Sequence, residues 1–121
     1  MAKRILIVED DSLLSKMYKT KFESEGFDVI VANQGIEGLN FAFSTPPDLI
    51  VLDMMMPKLS GIDFLTKLRQ NQNTIKTPVI VLSNLSNEEE AMKARALGAT
   101  EYLVKASLTP GQVVDKVRQH I

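Results

Sequence analysis

The sequence contains no cysteine, which excludes disulfides and thiolate chemistry; a cytosolic setting fits that composition. It has almost no charge imbalance. A formal net charge of -1 leaves neither a basic tail for nucleic acid nor bulk attraction to an acidic membrane. Long hydrophobic runs are missing too. The apolar run at residues 5–8 stops at Glu9, Asp10 and Asp11, too short for a signal-peptide core or a membrane span, and no other segment reaches bilayer length. There is no internal repeat, low-complexity run or linker-like stretch. What remains is 121 residues with 45% apolar content, enough for one ordinary domain with a real core.

The chain is organised around residues 47–61. Residues 49–52 form a continuous apolar run, the mark of a strand buried on both faces, and the run ends at Asp53. That carboxylate is expected to leave the core at the carboxyl end of the strand. Pro57 and Gly61 then punctuate a loop. In an open α/β sheet such strand ends line the ligand crevice, so Asp53 is the first candidate.

The rest of the chain repeats the same unit. Residues 3–8 read as a first strand, followed by a helix capped by Ser12 that runs to about residue 25, with Leu14, Met17 and Phe22 as its apolar face. Gly26 stops it, and residues 27–32 form a second strand. Ile36, Leu39 and Phe43 mark a helix over about 35–44, closed by Pro46 and Pro47. Ile62, Leu65 and Leu68 mark a third helix over about 60–70, and residues 71–76 read as a loop. Pro78 opens the fourth strand, which runs through Leu82 to Ser83. Ser86 with Glu89 forms a capping box for a helix continuing through Ala91, Ala94 and Leu97 to Gly98. Residues 99–104 form the fifth strand, ending before Lys105. Thr109 caps a last helix with Pro110 at its first position and Val113, Val117 and Ile121 on one face. Five strand–helix units predict a single domain over residues 1–121, α/β in class, with a parallel sheet covered by helices on both faces. Five units are too few for the eight-stranded barrel. No output domain is expected within this chain.

Four strands deliver notable polar groups to the same edge: Glu9 and Asp10, Asp53, Ser83 and Lys105. Singly, each fits a solvated loop or a turn. Together they describe one chemistry. Crowded carboxylates repel unless a cation offsets them, and Mg²⁺ suits oxygen ligands and phosphate oxygens. A carboxylate can attack phosphorus and form an aspartyl phosphate. A lysine ammonium balances charge on a phosphoryl group, and a serine hydroxyl donates to one of its oxygens.

With those residues in view, the chain resembles a response-regulator receiver domain of two-component signalling, similar to the chemotaxis regulator. The matching pieces are residues 5–11 (ILIVEDD), 47–57 (PDLIVLDMMMP) with Gly61, 78–83 (PVIVLS) and 98–105 (GATEYLVK), so the likeness covers essentially the whole chain. It implies a flavodoxin-like, doubly wound (βα)5 fold with strand order 2-1-3-4-5. It implies that Asp53 is the phosphoacceptor, that Glu9, Asp10, Asp53 and the backbone carbonyl of Met55 hold Mg²⁺, and that Ser83 and Lys105 contact the phosphoryl group. Tyr102 matches the aromatic switch residue. The implied donor is a histidine kinase or histidine phosphotransfer protein. The implied output is a downstream protein target, with a homodimer through helix 4, strand 5 and helix 5 as a further partner, and with no direct binding to nucleic acid or membrane.

One position departs from the pattern. The family places proline after the lysine, joined by a cis peptide; here Ala106 follows Lys105. A cis bond before a non-proline residue costs about 2.5–4 kcal/mol, so either that cost is met or the loop is trans and shaped differently. Asp11 reads as loop or cap. Met55 and Met56 read as fillers beside the site, and His120 as a surface group. Three other functions stay open: a small Mg²⁺-dependent phosphatase with Asp53 as nucleophile, a flavin or nucleotide module, and a pseudo-receiver that only binds. Glu9-Asp10-Asp11 in place of phosphate-cradling glycines weighs against the nucleotide module.

Overall fold

The computed structural model describes residues 2–84 and 86–121. Its elements alternate in chain order: β1 (Arg4–Val8), α1 (Ser12–Ser24), β2 (Asp28–Ala32), α2 (Gly35–Ser44), β3 (Leu49–Asp53), α3 (Gly61–Arg69), β4 (Val79–Ser83), α4 (Glu88–Ala96), β5 (Glu101–Val104) and α5 (Pro110–Arg118). All strand pairings are parallel, in the order β2-β1-β3-β4-β5. The (βα)5 fold and the strand order are therefore as expected.

The apolar runs explain the layering. Successive strand side chains point to opposite faces, so a strand with no polar position must be covered on both. Leu6, Val8, Ile50, Leu52, Val79 and Val81 face one core with residues of α2, α3 and α4, including Leu39, Phe64, Leu65 and Leu68. Ile5, Ile7, Leu49, Val51, Ile80 and Leu82 face the other, with Tyr18 and Phe22 of α1 and Val113, Val114 and Val117 of α5. Each fully buried side chain of this size contributes roughly 1.5–3 kcal/mol relative to exposure. β1 and β3 lie side by side where the winding reverses, and a crevice opens there at the carboxyl ends of the strands.

Several local expectations are corrected. Asp11, not Ser12, caps α1: its Oδ1 accepts the N–H groups of Leu13 (3.0 Å) and Leu14 (3.1 Å). Asn87, not Ser86, caps α4 and accepts the N–H of Glu90 at 3.0 Å. Met17 and Ile36 are exposed, because α1 buries Ser15, Tyr18 and Phe22 and α2 buries Gly35, Gly38, Leu39 and Ala42. Ile121 is exposed because α5 ends at Arg118. β4 begins at Val79, and β5 begins at Glu101 rather than at residue 99. At the last helix the expectation holds: Thr109 and Gln112 form a reciprocal capping box with Pro110 inside it. No helix among the described residues is long and apolar enough to cross a membrane.

The loop after β3 is pinned. Met54 donates its N–H to Leu82 O (3.1 Å) and accepts from Gly61 N (3.2 Å). A Cβ at Gly61 would stand 2.9 Å from the Cα of Met54, so only glycine allows this closure.

Candidate functional site

The backbone fixes the acidic groups before their side chains meet. Glu9 follows β1 and donates its N–H to Ala32 O at 3.0 Å, while its carbonyl accepts from Asn33 Nδ2 at 2.9 Å. Held on both sides, it turns its carboxylate across the crevice. Asp53 is the last residue of β3, in register with Leu82 of β4. Lys105 directly follows β5 and opens a short 3-10 turn, Lys105–Ser107. The described residues contain no cis peptide, so Lys105 reaches the site through a trans bond to Ala106.

Lys105 stands between two buried carboxylates. Its Nζ is 2.6 Å from Glu9 Oε1 and 3.3 Å from Asp53 Oδ2. Glu9 is 3% exposed and Asp53 4%. Asp53 therefore remains in the protein's interior rather than leaving the core. The cation compensates its charge, and the Met55 N–H donates to its Oδ1 at 3.0 Å. Asp10 is exposed, and carboxylate oxygens of Glu9, Asp10 and Asp53 all lie within 4.8 Å of one another. Such a set of hard oxygen donors fits a small divalent cation. Met55 presents its backbone here; its side chain is 52% exposed and fills no space, whereas Met54 and Met56 are buried.

Burial pushes the Glu9 carboxyl up from 4.5 to about 7, with Asp53 beside it acting in the same direction and Lys105 partly offsetting both. Lys105 is itself raised: burial lowers it, but the two carboxylates outweigh that. The Glu9 shift gives a pH dependence of stability. Between pH 4.5 and 7 the folded protein holds a proton that the unfolded chain has released. Without divalent cations, stability should fall as pH rises through that window, and the fall should be much shallower in Glu9→Gln. Urea unfolding across the window measures it, and a wild-type profile parallel to that of Glu9→Gln would contradict it.

Ser83 and Tyr102 meet at a third residue. Ser83 ends β4 and is fully buried. Its hydroxyl lies 3.5 Å from Glu90 Oε1, at the outer limit of hydrogen bonding, and the Tyr102 phenol donates to the same oxygen at 2.6 Å. The structure thus brings Glu9, Asp10, Asp53 and Lys105 together directly, and joins Ser83 to Tyr102 both directly and through Glu90. His120 is half-buried rather than a plain surface group, and its Nε2 lies 2.5 Å from Glu101 Oε2. Two participants escaped the sequence reading. Asn33 stands where β2 ends, so the same strand-end reasoning applied to the second strand finds it. Glu90 is one of three consecutive glutamates, and nothing in the sequence distinguishes it.

Comparison with known proteins bears on this arrangement. Residues 5–118 match the response regulator receiver domain family. The chain is 44% identical over 102 residues to the transcriptional regulatory protein CpxR of Escherichia coli K12, covering 84% of this chain and 42% of that protein. It is 36% identical over 118 residues to the alkaline phosphatase synthesis transcriptional regulatory protein PhoP of Bacillus subtilis, covering 98% of this chain and 48% of that one. The chain spans about half the length of the curated relatives it matches. Among solved structures, Vibrio cholerae chemotaxis protein CheY4 superposes with a TM-score of 0.94 at 26% identity over the whole of both chains. The receiver domain of Francisella response regulator 1452 superposes with a TM-score of 0.87 at 38% identity, over 97% of this chain and 94% of that one. Receiver domains act as phosphoacceptor switches rather than turnover enzymes, with histidine kinases or phosphotransfer proteins as their general partners. An acidic crevice at the β1–β3 switch point, a lysine bridging its carboxylates, and a family match over nearly the full length lead to one assignment: this chain belongs to the response-regulator receiver domains of two-component signalling.

Proposed function

We propose that Asp53 accepts a phosphoryl group from a phosphohistidine on a histidine kinase or histidine phosphotransfer protein. The observation that carries this reading is the ammonium of Lys105, 3.3 Å from a buried aspartate at the β3 terminus. In the transfer an Asp53 carboxylate oxygen bonds to phosphorus as the P–N bond to the donor imidazole breaks. The bonding pair returns to the ring, and the product is an acyl phosphate.

Glu9, Asp10, Asp53 and the Met55 carbonyl would hold Mg²⁺, the cation suited to such oxygen donors. When bound, it would offset the charge on the transferring oxygens and align donor with acceptor. Lys105 keeps a cation beside the acceptor and is within reach of an oxygen on the transferred group. Ser83 turns its hydroxyl toward another, and Tyr102 changes position as Ser83 moves. Water later cleaves the acyl phosphate and resets the site.

Exposed apolar side chains on α1 support a protein donor. Leu13 is 71% exposed and, with Met17 and Pro110, lines a groove of about 540 Å³; Leu13 lies in the first turn of α1, three residues after Asp10. Output runs through the face of α4, β5 and α5 toward a downstream protein or a second copy. In this reading the 121 residues act as one receiver unit in the cytoplasm, without direct contact to nucleic acid or membrane.

Intact-mass spectrometry after incubation with acetyl phosphate tests the chemistry and its metal requirement. With Mg²⁺ the expected product carries one added phosphoryl group. With a chelator in excess the mass should stay unchanged. Equal modification in both arms, or none in a folded protein with any phosphodonor, would contradict the proposal.

A further inference from the structure

We propose that Glu90 holds the resting state of this switch: its carboxylate tethers the Tyr102 phenol and, together with that phenol, competes with the phosphoryl group for the Ser83 hydroxyl. This rests on Asp53 being the phosphoacceptor.

The geometry carries the inference. A serine hydroxyl has one proton to donate. At rest the Ser83 hydroxyl lies 3.5 Å from Glu90 Oε1, a weak contact that is easily exchanged, and it also hydrogen-bonds the Tyr102 phenol. The phenol of Tyr102 makes the strong contact to the same oxygen, 2.6 Å long and charge-assisted. Glu90 is itself held in place. It lies in the first turn of α4, where its N–H donates to the capping side chain of Asn87. Among the described residues no lysine or arginine pairs with it; the neighbouring Lys93 pairs with Glu89 instead, at 3.5 Å. The carboxylate's near partners are thus the two hydroxyl groups on which switching depends.

The consequence is a linkage. A phosphoryl group on Asp53 offers Ser83 a better acceptor than a contact at 3.5 Å. As Ser83 leaves, both the Glu90 carboxylate and the Tyr102 phenol lose a hydrogen-bond partner, and the tether between them is weakened. Reciprocally, anything that frees Tyr102 makes Ser83 easier to recruit and Asp53 easier to phosphorylate. Glu90 is a positioning residue: its side chain bonds to Ser83 and Tyr102 rather than to Asp53 or Lys105, and it acts through those two hydroxyls.

The chain has two tyrosines and no tryptophan, so Tyr18→Phe leaves Tyr102 as the one phenol whose ionisation changes the ultraviolet spectrum. In that background, absorbance titration follows the Tyr102 phenol, which burial and the Glu90 hydrogen bond hold above its ordinary value. Glu90→Ala should lower the titration midpoint and speed phosphorylation by acetyl phosphate about 3–10-fold, the scale of one charge-assisted hydrogen bond shared between two states. Glu90→Gln keeps a carbonyl acceptor and should fall between parent and alanine variant in both measurements. A phenol midpoint unmoved in Glu90→Ala would overturn the tether. A midpoint that falls while the phosphorylation rate stays at the parental value would overturn its coupling to Ser83. The titration needs no phosphorylation, so a protein that never accepts a phosphoryl group contradicts the role of Asp53 and leaves the tether decided on its own data.

Discussion

Asp53→Asn should accept no phosphoryl group at all, while folding as well as the parent. The loss is complete because the variant removes the attacking oxyanion: a neutral amide oxygen does not form the acyl phosphate. Retained folding follows from the site's charge balance. The introduced amide keeps a carbonyl oxygen for the Met55 N–H, which in the parent reaches Asp53 Oδ1 at 3.0 Å. The substitution also removes one of two buried carboxylates crowded around a single ammonium. Glu9 then pairs with Lys105 without the Asp53 charge that helps raise its carboxyl, so its titration should shift down. The stability change should stay within about 1 kcal/mol in the absence of divalent cations. Intact mass with a phosphodonor and urea unfolding check both halves. Residual phosphorylation at the parental rate would remove Asp53 from the chemistry, and a collapse in stability would show that its charge is structurally required.

Lys105→Met should be the second most damaging change, and its two effects should separate with metal. The side chain is of similar length, so packing is largely kept while the charge is lost. Glu9 and Asp53, at 3% and 4% exposure, would face each other without their cation. Removing one partner from a buried charge set costs about 3–5 kcal/mol, less where a carboxyl can take up a proton, so a loss of about 2–4 kcal/mol near neutral pH is expected. A divalent cation should restore much of that stability, because it supplies the missing positive charge. The phosphorylation rate should not recover with it. Lysine stabilises charge that grows on the transferring oxygens, and losing one such group lowers a rate by about 10²–10³-fold. A rate within about tenfold of the parent in saturating Mg²⁺ would exclude Lys105 from that role.

How much of this was legible in the sequence depended on what each residue has to satisfy. Strands covered on both faces leave no room for polar positions, so the ends of β1, β3 and β4 stand out and Glu9, Asp10, Asp53 and Ser83 were singled out by that route, with Lys105 added at the end of the half-buried β5. Helix faces were harder. Hydropathy weights large side chains, but α2 lies close to the sheet and buries the small Gly35, Gly38 and Ala42 beside Leu39, while α1 turns Ser15, Tyr18 and Phe22 inward. A Cβ at Gly38 would come within 2.8 Å of a Val8 methyl, so no larger residue fits there, while Ile36 and Met17 turn outward. The capping errors share a cause. Asp11-Ser12 and Ser86-Asn87 each offer two competent caps in succession, and the side chain that reaches the first-turn N–H groups is Asp11 in one and Asn87 in the other. β5 starts late because Thr100 is a lead-in, its N–H donating to Val79 O at 2.8 Å and its hydroxyl accepting from Val79 N at 3.2 Å. The bond from Lys105 to Ala106 lay beyond sequence reasoning and is trans. Glu90 was hidden because its importance comes from Tyr102, twelve residues away in sequence and one hydrogen bond away in space.

The most direct test of the central claim is to locate the modification. An acyl phosphate is reduced by borohydride to an alcohol, which turns a phosphorylated aspartate into homoserine, whereas phosphoserine and phosphohistidine are not converted in this way. The protein would be phosphorylated with Mg²⁺ present, reduced, digested and sequenced by tandem mass spectrometry. The expected result is homoserine in place of Asp53, with Asp10 and Asp11 unmodified. Homoserine at another position, or a phosphoryl group on Ser83 or His120 with Asp53 intact, would contradict the account.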